Sequence, residues 1–444
     1  RRARAAVRKP LLVMPNAGLP ENINGSLVYT LEPEAFAEEL LKFVTRYGVN
    51  IVGGCCGTSP EHVSALRKAL DGVHPAERTV KPVPGVASLY SFQELRQEPA
   101  PFFVGERANT NGSKQFREFL LAENWDGMVE VGKSQVQSGA HAVDLCVAYA
   151  GRDEVADIVR MAPRFALEVP LPLVIDSTSP AVIEAALKRC GGRAVINSIN
   201  LEEGEERTRR VCALARRYGA AVIALTIDEE GMARTAEKKL AVARRLFAIA
   251  GEEGLASSDL IFDPLTFTLG SGDETLNTVA IETLRGIELI KENLPGVFTL
   301  LGLSNISFGL NPRSRQILNS VFLFRAVQAG LDLAIVNVAQ IVPVNRIDEA
   351  DLKMALNLID NAGPGNPLLR FIEHFDRQAS VVEENNTISE ESLSPEELLR
   401  KRLIDGSRAG LEELLERILG SIPPAGIIND ILVPAMKQVG ELFG

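Results

Sequence analysis

Residues 171–177 are Leu-Pro-Leu-Val-Ile-Asp-Ser, a short apolar run that ends in a carboxylate. Such a run, without a helical period, is typical of a strand buried on both faces of a parallel sheet. The pattern recurs along the chain and alternates with longer stretches of helical spacing. This alternation predicts an α/β protein with a closed (β/α)₈ TIM barrel of about 250 residues. The strand candidates are Phe102–Gly105, Ala142–Leu145, Leu173–Ile175, Ala194–Ile196, Ala221–Ile227, Leu260–Phe262, Val297–Leu303 and Leu331–Val336.

Acidic and amide side chains follow nearly every strand candidate. The carboxyl ends of barrel strands open at one common mouth, where such proteins bind their ligands. We therefore expect these side chains to converge. They are Glu106, Asn109, Asp144, Asp176, Asn197, Asp228, Asp263, Asn305 and Asn337.

The residue types in this set favour one class of ligand. The set contains no histidine, so it poorly suits proton relays near neutral pH, and it suits phosphate no better. It suits a planar heterocycle such as a pterin, whose neighbouring N–H donors match a carboxylate. Asp and Asn also cap helices and begin turns, and this structural role stays open for each position alone, above all for Asp144 and Asp228.

Several strand-end motifs resemble those of the pterin-binding barrel of cobalamin-dependent methionine synthases, over about Pro101 to Val344. The resemblance implies that Asp176 and Asn197 face the pyrimidine edge of methyltetrahydrofolate, and that Asn305 is catalytic, near the methyl-bearing N5. Cys146 stands where related barrels often carry Asn. The motifs are Gly105–Asn111, Ile175–Ser177, Ile196–Ser198, Phe262–Pro264 and Leu303–Gly309. The implied folate contacts are Asn109, Asp176, Asn197, Asp263, Asn305 and Arg313.

Two adjacent thiols occur in Gly53-Gly54-Cys55-Cys56-Gly57-Thr58. From residue types alone, a buried cysteine pair and a metal site are equally open, because zinc takes about four ligands and only two are present. The motif and the upstream Pro15–Gly18 resemble the end of the homocysteine-binding barrel of the same family. That resemblance implies that Cys55 and Cys56 hold zinc together with an earlier cysteine, which we expect before Arg1. We predict that this chain alone binds zinc weakly or not at all.

The C-terminal helices resemble the start of the cap that covers cobalamin in this family. Methylcobalamin itself is expected on a further domain of the same polypeptide, because the Asp-x-His-x-x-Gly motif is absent from this sequence. The predicted segments are 1–75, the C-terminal part of the homocysteine and zinc barrel; 76–100, a linker; 101–346, the folate barrel; 347–380, a helical extension; 381–394, a second linker; and 395–444, the start of the cap.

Composition excludes several classes of function. A formal net charge of -11 and the lack of a basic cluster argue against a nucleic-acid partner. No apolar run reaches the roughly 18 residues that a membrane-spanning helix needs. Five cysteines in 444 residues do not make a disulfide framework, so we expect a cytoplasmic protein.

The resemblance implies a methyltransferase that moves the methyl group of 5-methyltetrahydrofolate, by way of cobalamin, to homocysteine, giving methionine and tetrahydrofolate. This chain would mainly supply the folate barrel. Two other enzyme classes use similar barrels, namely dihydropteroate synthases and the folate methyltransferases of corrinoid proteins, but neither carries the thiol domain. The alternative that is not an enzyme is a folate-binding module, inactive on its own.

Overall fold

The computed structural model describes residues 8–270, 276–386, 394–404 and 411–436. The chain folds into two compact units. The first unit comprises Arg1–Leu265, Glu282–Leu303 and Ala326–Ala339, and the second comprises Thr266–Ile281, Ser304–Arg325 and Gln340–Gly444. No helix among the described residues is both long enough and apolar enough to cross a membrane.

The N-terminal part of the first unit is a small α/β layer. Its core contains Phe36 and Leu40, whose spacing of four residues places them on one face of a helix, and Leu66 from a second helix. Strands β1 and β4 pair in parallel, and β2 and β3 form an antiparallel hairpin. The elements are β1 (Leu12–Val13), β2 (Pro20–Ile23), β3 (Ser26–Tyr29), α1 (Pro33–Tyr47), β4 (Ile51–Val52) and α2 (Pro60–Ala69).

A short antiparallel hairpin follows, within the segment expected to be a linker. It consists of β5 (Gly85–Ala87) and β6 (Phe92–Glu94). Val86 and Leu95 are fully buried and pack in the same cluster as the barrel interior. Strands of this length show no sustained alternation in a sequence, which is why the Pro-rich composition dominated the prediction.

The predicted (β/α)₈ barrel is confirmed, since eight parallel strands close on one another and the last pairs with the first. The observed strands end slightly beyond some predicted ones, because Asp176 and Asp263 still hold ladder positions opposite their neighbours. A small hairpin of β12 (Ile227–Asp228) and β13 (Gly231–Met232) lies outside the barrel. The barrel strands are β7 (Phe102–Gly105), β8 (Ala142–Leu145), β9 (Leu173–Asp176), β10 (Val195–Ile199), β11 (Ala221–Leu225), β14 (Leu260–Asp263), β15 (Phe298–Gly302) and β16 (Leu333–Val336).

Helices connect the barrel strands, and polar caps start several of them. Ser113, Asn124, Asp153 and Thr235 each accept a backbone N–H from the first turn that follows. Apolar residues on the strands alternate between the barrel interior and the surrounding helices, which gives two separate core clusters. The helices are α3 (Lys114–Leu121), α4 (Trp125–Gln137), α5 (Glu154–Glu168), α6 (Pro180–Leu187), α7 (Glu205–Tyr218), α8 (Ala236–Glu252), α9 (Val279–Asn293) and α10 (Pro312–Gln328).

The second unit is mainly helical. Its C-terminal helices share a core of Leu399, Leu414, Ile418, Ile427 and Ile431. The helix predicted for 427–443 begins as expected, whereas its residues from 437 onward, like residues 387–393 of the second linker, lie outside the described residues. The elements are α11 (Glu349–Ile359), α12 (Pro367–Asn386), α13 (Pro395–Ile404), α14 (Leu411–Leu419), α15 (Pro424–Gly426) and a wider helical turn over Ile427–Leu432.

Candidate functional site

Two buried carboxyl groups meet at the carboxyl ends of neighbouring barrel strands. Asp144 belongs to β8 and Asp176 ends β9, and the Asn109 side chain lies between them. Asn109 Nδ2 donates to Asp144 Oδ2 at 2.8 Å and to Asp176 Oδ2 at 2.7 Å. Asn197 Nδ2 lies 3.4 Å from Asp144 Oδ1. We call Asn109, Asp144, Asp176 and Asn197 the carboxylate cluster.

Asn109 is held from both ends of its amide. Its Oδ1 accepts the backbone N–H of Asn111 at 2.9 Å and that of Gly112 at 3.3 Å. An amide has two donors and one acceptor oxygen, so both groups of Asn109 are engaged within the protein. The contacts that fix Asn109 therefore also fix the two carboxyl groups relative to each other.

Burial and mutual repulsion set the charge of the cluster. Asp144 is 2% exposed, and this burial, together with the neighbouring charge of Asp176, raises its pKa well above the usual value for aspartate. Burial also raises the pKa of Asp176. Hydrogen bonds from Asn109 act in the opposite direction on both groups. The pKa is raised more strongly for Asp144 than for Asp176, so Asp176 is the carboxyl of the pair that ionises more readily.

Cys146 borders the cluster and lies within hydrogen-bond reach of Asp176. Burial raises the pKa of its thiol to about 12, so the sulfur remains protonated at neutral pH. The thiol donates a hydrogen bond to Asp176, and Asn111 Nδ2 approaches Cys146 Sγ at 3.8 Å. A thiol is a weak donor, so Cys146 gives Asp176 a weaker hydrogen bond than an amide would.

Asp263 ends β14 and belongs to the same barrel mouth, because all eight strands are parallel. Its Oδ1 accepts the backbone N–H of Leu265 at 2.7 Å. Burial raises the pKa of Asp263 to about 6. The group is therefore largely ionised at neutral pH and becomes neutral in mildly acidic solution.

Asn305 and Arg313 belong to the second unit. Asn305 is exposed on the short helix Leu303–Ser307, which follows β15 directly in the chain. Arg313 lies in the first turn of α10, with its Nη2 3.1 Å from Oδ2 of Asp351. Asp351 is 1% exposed and also lies 2.7 Å from His374 Nε2. The folate contacts of Asn305 and Arg313 remain predictions.

The thiols of Cys55 and Cys56 are exposed, with their sulfur atoms 3.8 Å apart. Two corners of a zinc tetrahedron with bonds of about 2.3 Å are also about 3.8 Å apart, so the pair fits two ligand positions of one ion. Asn16 Oδ1 fixes the loop by accepting the Cys56 N–H at 3.1 Å. Within the described ranges, no group of three Cys, His, Asp or Glu side chains forms a complete metal site.

We therefore expect the isolated chain to retain clearly less than one zinc ion after dialysis against metal-free buffer. Two thiolates supply only half of a tetrahedral set, and affinity falls steeply when ligands are missing. Metal analysis of the dialysed protein checks this, with a Cys55→Ala/Cys56→Ala variant as the background. One tightly held zinc per chain, lost in the variant, would show that the pair already has its other ligands.

Sequence reasoning left two buried residues out of the proposed site. Asp144 was recognised as a strand-end acid, but its central place depends on the contact with Asn109, 35 residues earlier. Lys239 contacts the loop behind Asp263. Its signal was present in the sequence, because Lys239 lies on the apolar face of α8 with Val242, Ala243 and Leu246.

Three families of known proteins match successive parts of the chain. The family described as "Pterin binding enzyme" matches residues 105–337. "Homocysteine S-methyltransferase" matches residues 2–70, and "B12 binding domain" matches residues 395–444. A dihydropteroate synthase structure from Xanthomonas albilineans, with 4-aminobenzoic acid, aligns with a TM-score of 0.44 and 18% identity, over 58% of this chain and 94% of that one.

Curated relatives cover nearly the whole sequence. Methionine synthase of Mycobacterium tuberculosis is 44% identical over 98% of this chain and 37% of its own length. The Mycobacterium leprae methionine synthase gives the same identity and coverage. The resemblance predicted from the motifs is confirmed, and the chain spans little more than a third of these relatives. Since the pterin-binding family matches more than half of the 444 residues, over the observed barrel, the chain belongs to the pterin-binding enzyme family.

Proposed function

We propose that this chain is the folate-binding part of a methionine synthase. In that reaction the methyl group of 5-methyltetrahydrofolate passes by way of cobalamin to homocysteine, giving methionine and tetrahydrofolate. The observation that carries the proposal is the carboxylate cluster, in which two buried acids and two amides lie together at the barrel mouth. The matches to homocysteine methyltransferase and B12-binding families on either side of the barrel support it.

The cluster offers groups complementary to a pterin edge. The 2-amino group and the ring N–H beside it are neighbouring donors, and the ionised Asp176 can accept both in a paired, charge-assisted contact. Asn197 is half-buried beside Asp144 and can donate to or accept from the remaining ring atoms. Asp263, from the other side of the barrel, adds a second acceptor.

The segments that precede and follow the barrel in the sequence would bind the other reactants. Cys55 and Cys56 fit two positions around a zinc ion, which would keep a substrate thiol ionised at neutral pH. Ile428, Val433 and Met436 leave an apolar surface on the C-terminal helices that would suit one face of a corrin. Bound cobalamin would supply the metal centre that accepts the methyl group. Five unpaired cysteines support a cytoplasmic location.

Departure of the methyl group needs assistance from the protein. A methyl on a tertiary amine leaves poorly unless the nitrogen gains a proton or a hydrogen bond as charge develops. We assign Asn305 to this role at N5, because it lies exposed immediately after a barrel strand end. Its hydrogen bond would strengthen in the transition state and so contribute mainly to the rate.

Asn305→Ala is expected to slow methyl transfer about 10- to 100-fold, a loss of about 1.4 to 2.7 kcal/mol, while changing the folate Kd less than about threefold. Single-turnover transfer from 5-methyltetrahydrofolate to free reduced cobalamin measures the rate, and equilibrium titration measures the Kd. Asn293→Ala, an exposed asparagine at the far end of α9, is the control. An unchanged transfer rate in Asn305→Ala would remove this residue from the mechanism.

Measurements of folate binding, methyl transfer and product formation separate the main alternatives. Saturable folate binding with transfer to free cobalamin supports a methyltransferase, whereas binding without transfer supports a folate-binding module. Formation of dihydropteroate from a pterin pyrophosphate and 4-aminobenzoate would instead favour a dihydropteroate synthase. Transfer of the methyl group to a corrinoid protein, without use of homocysteine by the longer polypeptide, would favour the remaining alternative.

A further inference from the structure

A lysine side chain is fully buried behind the barrel strand that carries Asp263. Lys239 lies on α8 and is 0% exposed. Its ammonium donates to the backbone carbonyl oxygens of Ala233 at 2.9 Å and of Pro264, and lies 3.5 Å from that of Leu265. Burial of an ammonium group costs free energy, and the hydrogen bonds to these carbonyl oxygens offset that cost.

The carbonyls of Pro264 and Leu265 belong to the turn that orients Asp263. Leu265 has a positive φ of 66°, a conformation that costs a non-glycine residue about 1 kcal/mol or more. In this conformation its N–H points at Asp263 Oδ1. Thr283 Oγ1 donates to the Leu265 carbonyl at 2.9 Å, so the ammonium and a hydroxyl fix the turn together.

We propose that Lys239 is a positioning residue for folate recognition: its buried ammonium holds the turn after β14 and keeps the Asp263 carboxylate oriented and ionised toward the barrel mouth. The inference rests on the proposed function, because it assigns Asp263 to the pterin. Lys239 acts through Asp263 and through the backbone, and it does not itself contact the ligand.

The charges around Asp263 agree with this role. Burial raises the Asp263 pKa to about 6, while the Leu265 N–H and the Lys239 charge limit the rise. Burial lowers the pKa of Lys239 to about 8, against the opposing effects of Asp263 and of Glu282 on α9. Between these two values both groups are charged, which defines a neutral pH window for tight binding.

Lys239→Met removes the charge and keeps an unbranched side chain that is one atom shorter. The Kd for 5-methyltetrahydrofolate is measured from pH 5 to 10 in the whole chain, and comparison with the wild type cancels titration of the ligand. We expect affinity at pH 7 to fall about tenfold, and the acid limb of the binding profile to move up by about one pH unit. An acid limb that stays in place would overturn the proposal.

Thr283→Val is the matched control for a purely structural effect. It removes a neutral hydrogen bond from the same Leu265 carbonyl, so it should weaken binding without moving the acid limb. A limb shift of the same size in Thr283→Val would count against a role for the Lys239 charge.

If Lys239→Met does not fold, Glu282→Gln tests the same charge. Loss of the Glu282 charge lowers the pKa of Lys239, so the alkaline limb of binding should move to lower pH, and an unmoved limb contradicts the proposal. A wild-type chain that fails to bind 5-methyltetrahydrofolate would refute the proposed function instead, which keeps the two failures distinct.

Discussion

Asp176→Asn is expected to weaken 5-methyltetrahydrofolate binding by about 100-fold, equivalent to about 2.7 kcal/mol, because two charge-assisted hydrogen bonds to the pterin edge are lost or reversed. The same change should stabilise the fold at pH 7 by about 1 kcal/mol. Burial raises the pKa of Asp176, and the charge of Asp176 raises that of Asp144, so ionisation of the pair opposes folding. Calorimetric titration and urea unfolding measure the two effects.

The sign of the pH dependence follows from the raised pKa values. A carboxyl whose pKa is higher in the folded protein is most favourable to folding at low pH, and that contribution is lost as pH rises through the folded value. The stability advantage of Asp176→Asn should therefore grow from acidic to neutral pH. Equal affinity in wild type and variant would exclude Asp176 as the main pterin contact.

Asp228→Asn provides the matched control for Asp176→Asn. Asp228 is also a buried strand-end aspartate, but its Oδ2 lies 2.7 Å from Lys238 Nζ and it has no contact with the carboxylate cluster among those described. The variant should lose stability, because the ion pair between the buried Asp228 and Lys238 is lost, and should keep its folate Kd within about threefold of wild type. Asp176→Asn and Asp228→Asn should therefore change stability in opposite directions, and only Asp176→Asn should weaken folate binding strongly.

Asn109→Ala is expected to destabilise the fold by about 2 to 4 kcal/mol at pH 7 and to weaken folate binding more than tenfold. The Asn109 amide donates to both Asp144 and Asp176, and without it two buried acids face each other with no shared donor. The destabilisation should shrink at low pH, where protonation relieves the repulsion. Urea unfolding at several pH values, with folate titration at pH 7, tests both parts.

Asn111→Ala is the control for Asn109→Ala. Asn111 is exposed, and among the described residues its side chain has just a long contact of 3.8 Å to Cys146 Sγ, so stability should change by less than about 0.5 kcal/mol. If Asn109→Ala proves as mild as Asn111→Ala, then Asn109 does not hold the two carboxyl groups in solution.

The sequence was sufficient for the barrel because its signals are local. Each strand is a short apolar run closed by an acid or amide, and helical spacing separates one run from the next. The remaining error lies at strand ends, since Asp176 and Asp263 look like the start of a loop but still pair with the neighbouring strand. A polar side chain at such a position does not prevent its backbone from pairing with the neighbouring strand, so the side chain alone does not mark the end of the strand.

The sequence predicts that a site exists at the strand ends, but it does not predict which of the site residues form hydrogen bonds with each other. From the sequence, Asn109 could simply cap its own turn. Its hydrogen bond to Asp176, 67 residues away, forms because the barrel brings the two strand ends together. Val86 and Leu95 were missed for a similar reason, because a three-residue strand has no readable period. Lys239 was missed because it follows two charged residues, although helical spacing places it on a buried face.

The most direct test of the account is a competition measurement with the two halves of the ligand. The carboxylate cluster is expected to recognise the aminopyrimidinone edge, so 5-methyltetrahydropterin, which lacks the tail, should displace bound 5-methyltetrahydrofolate, and 4-aminobenzoylglutamate alone should not. Asp176→Asn should lose the affinity for the tail-free pterin. Displacement by 4-aminobenzoylglutamate with none by the pterin would contradict the claim that these acids and amides bind the ring.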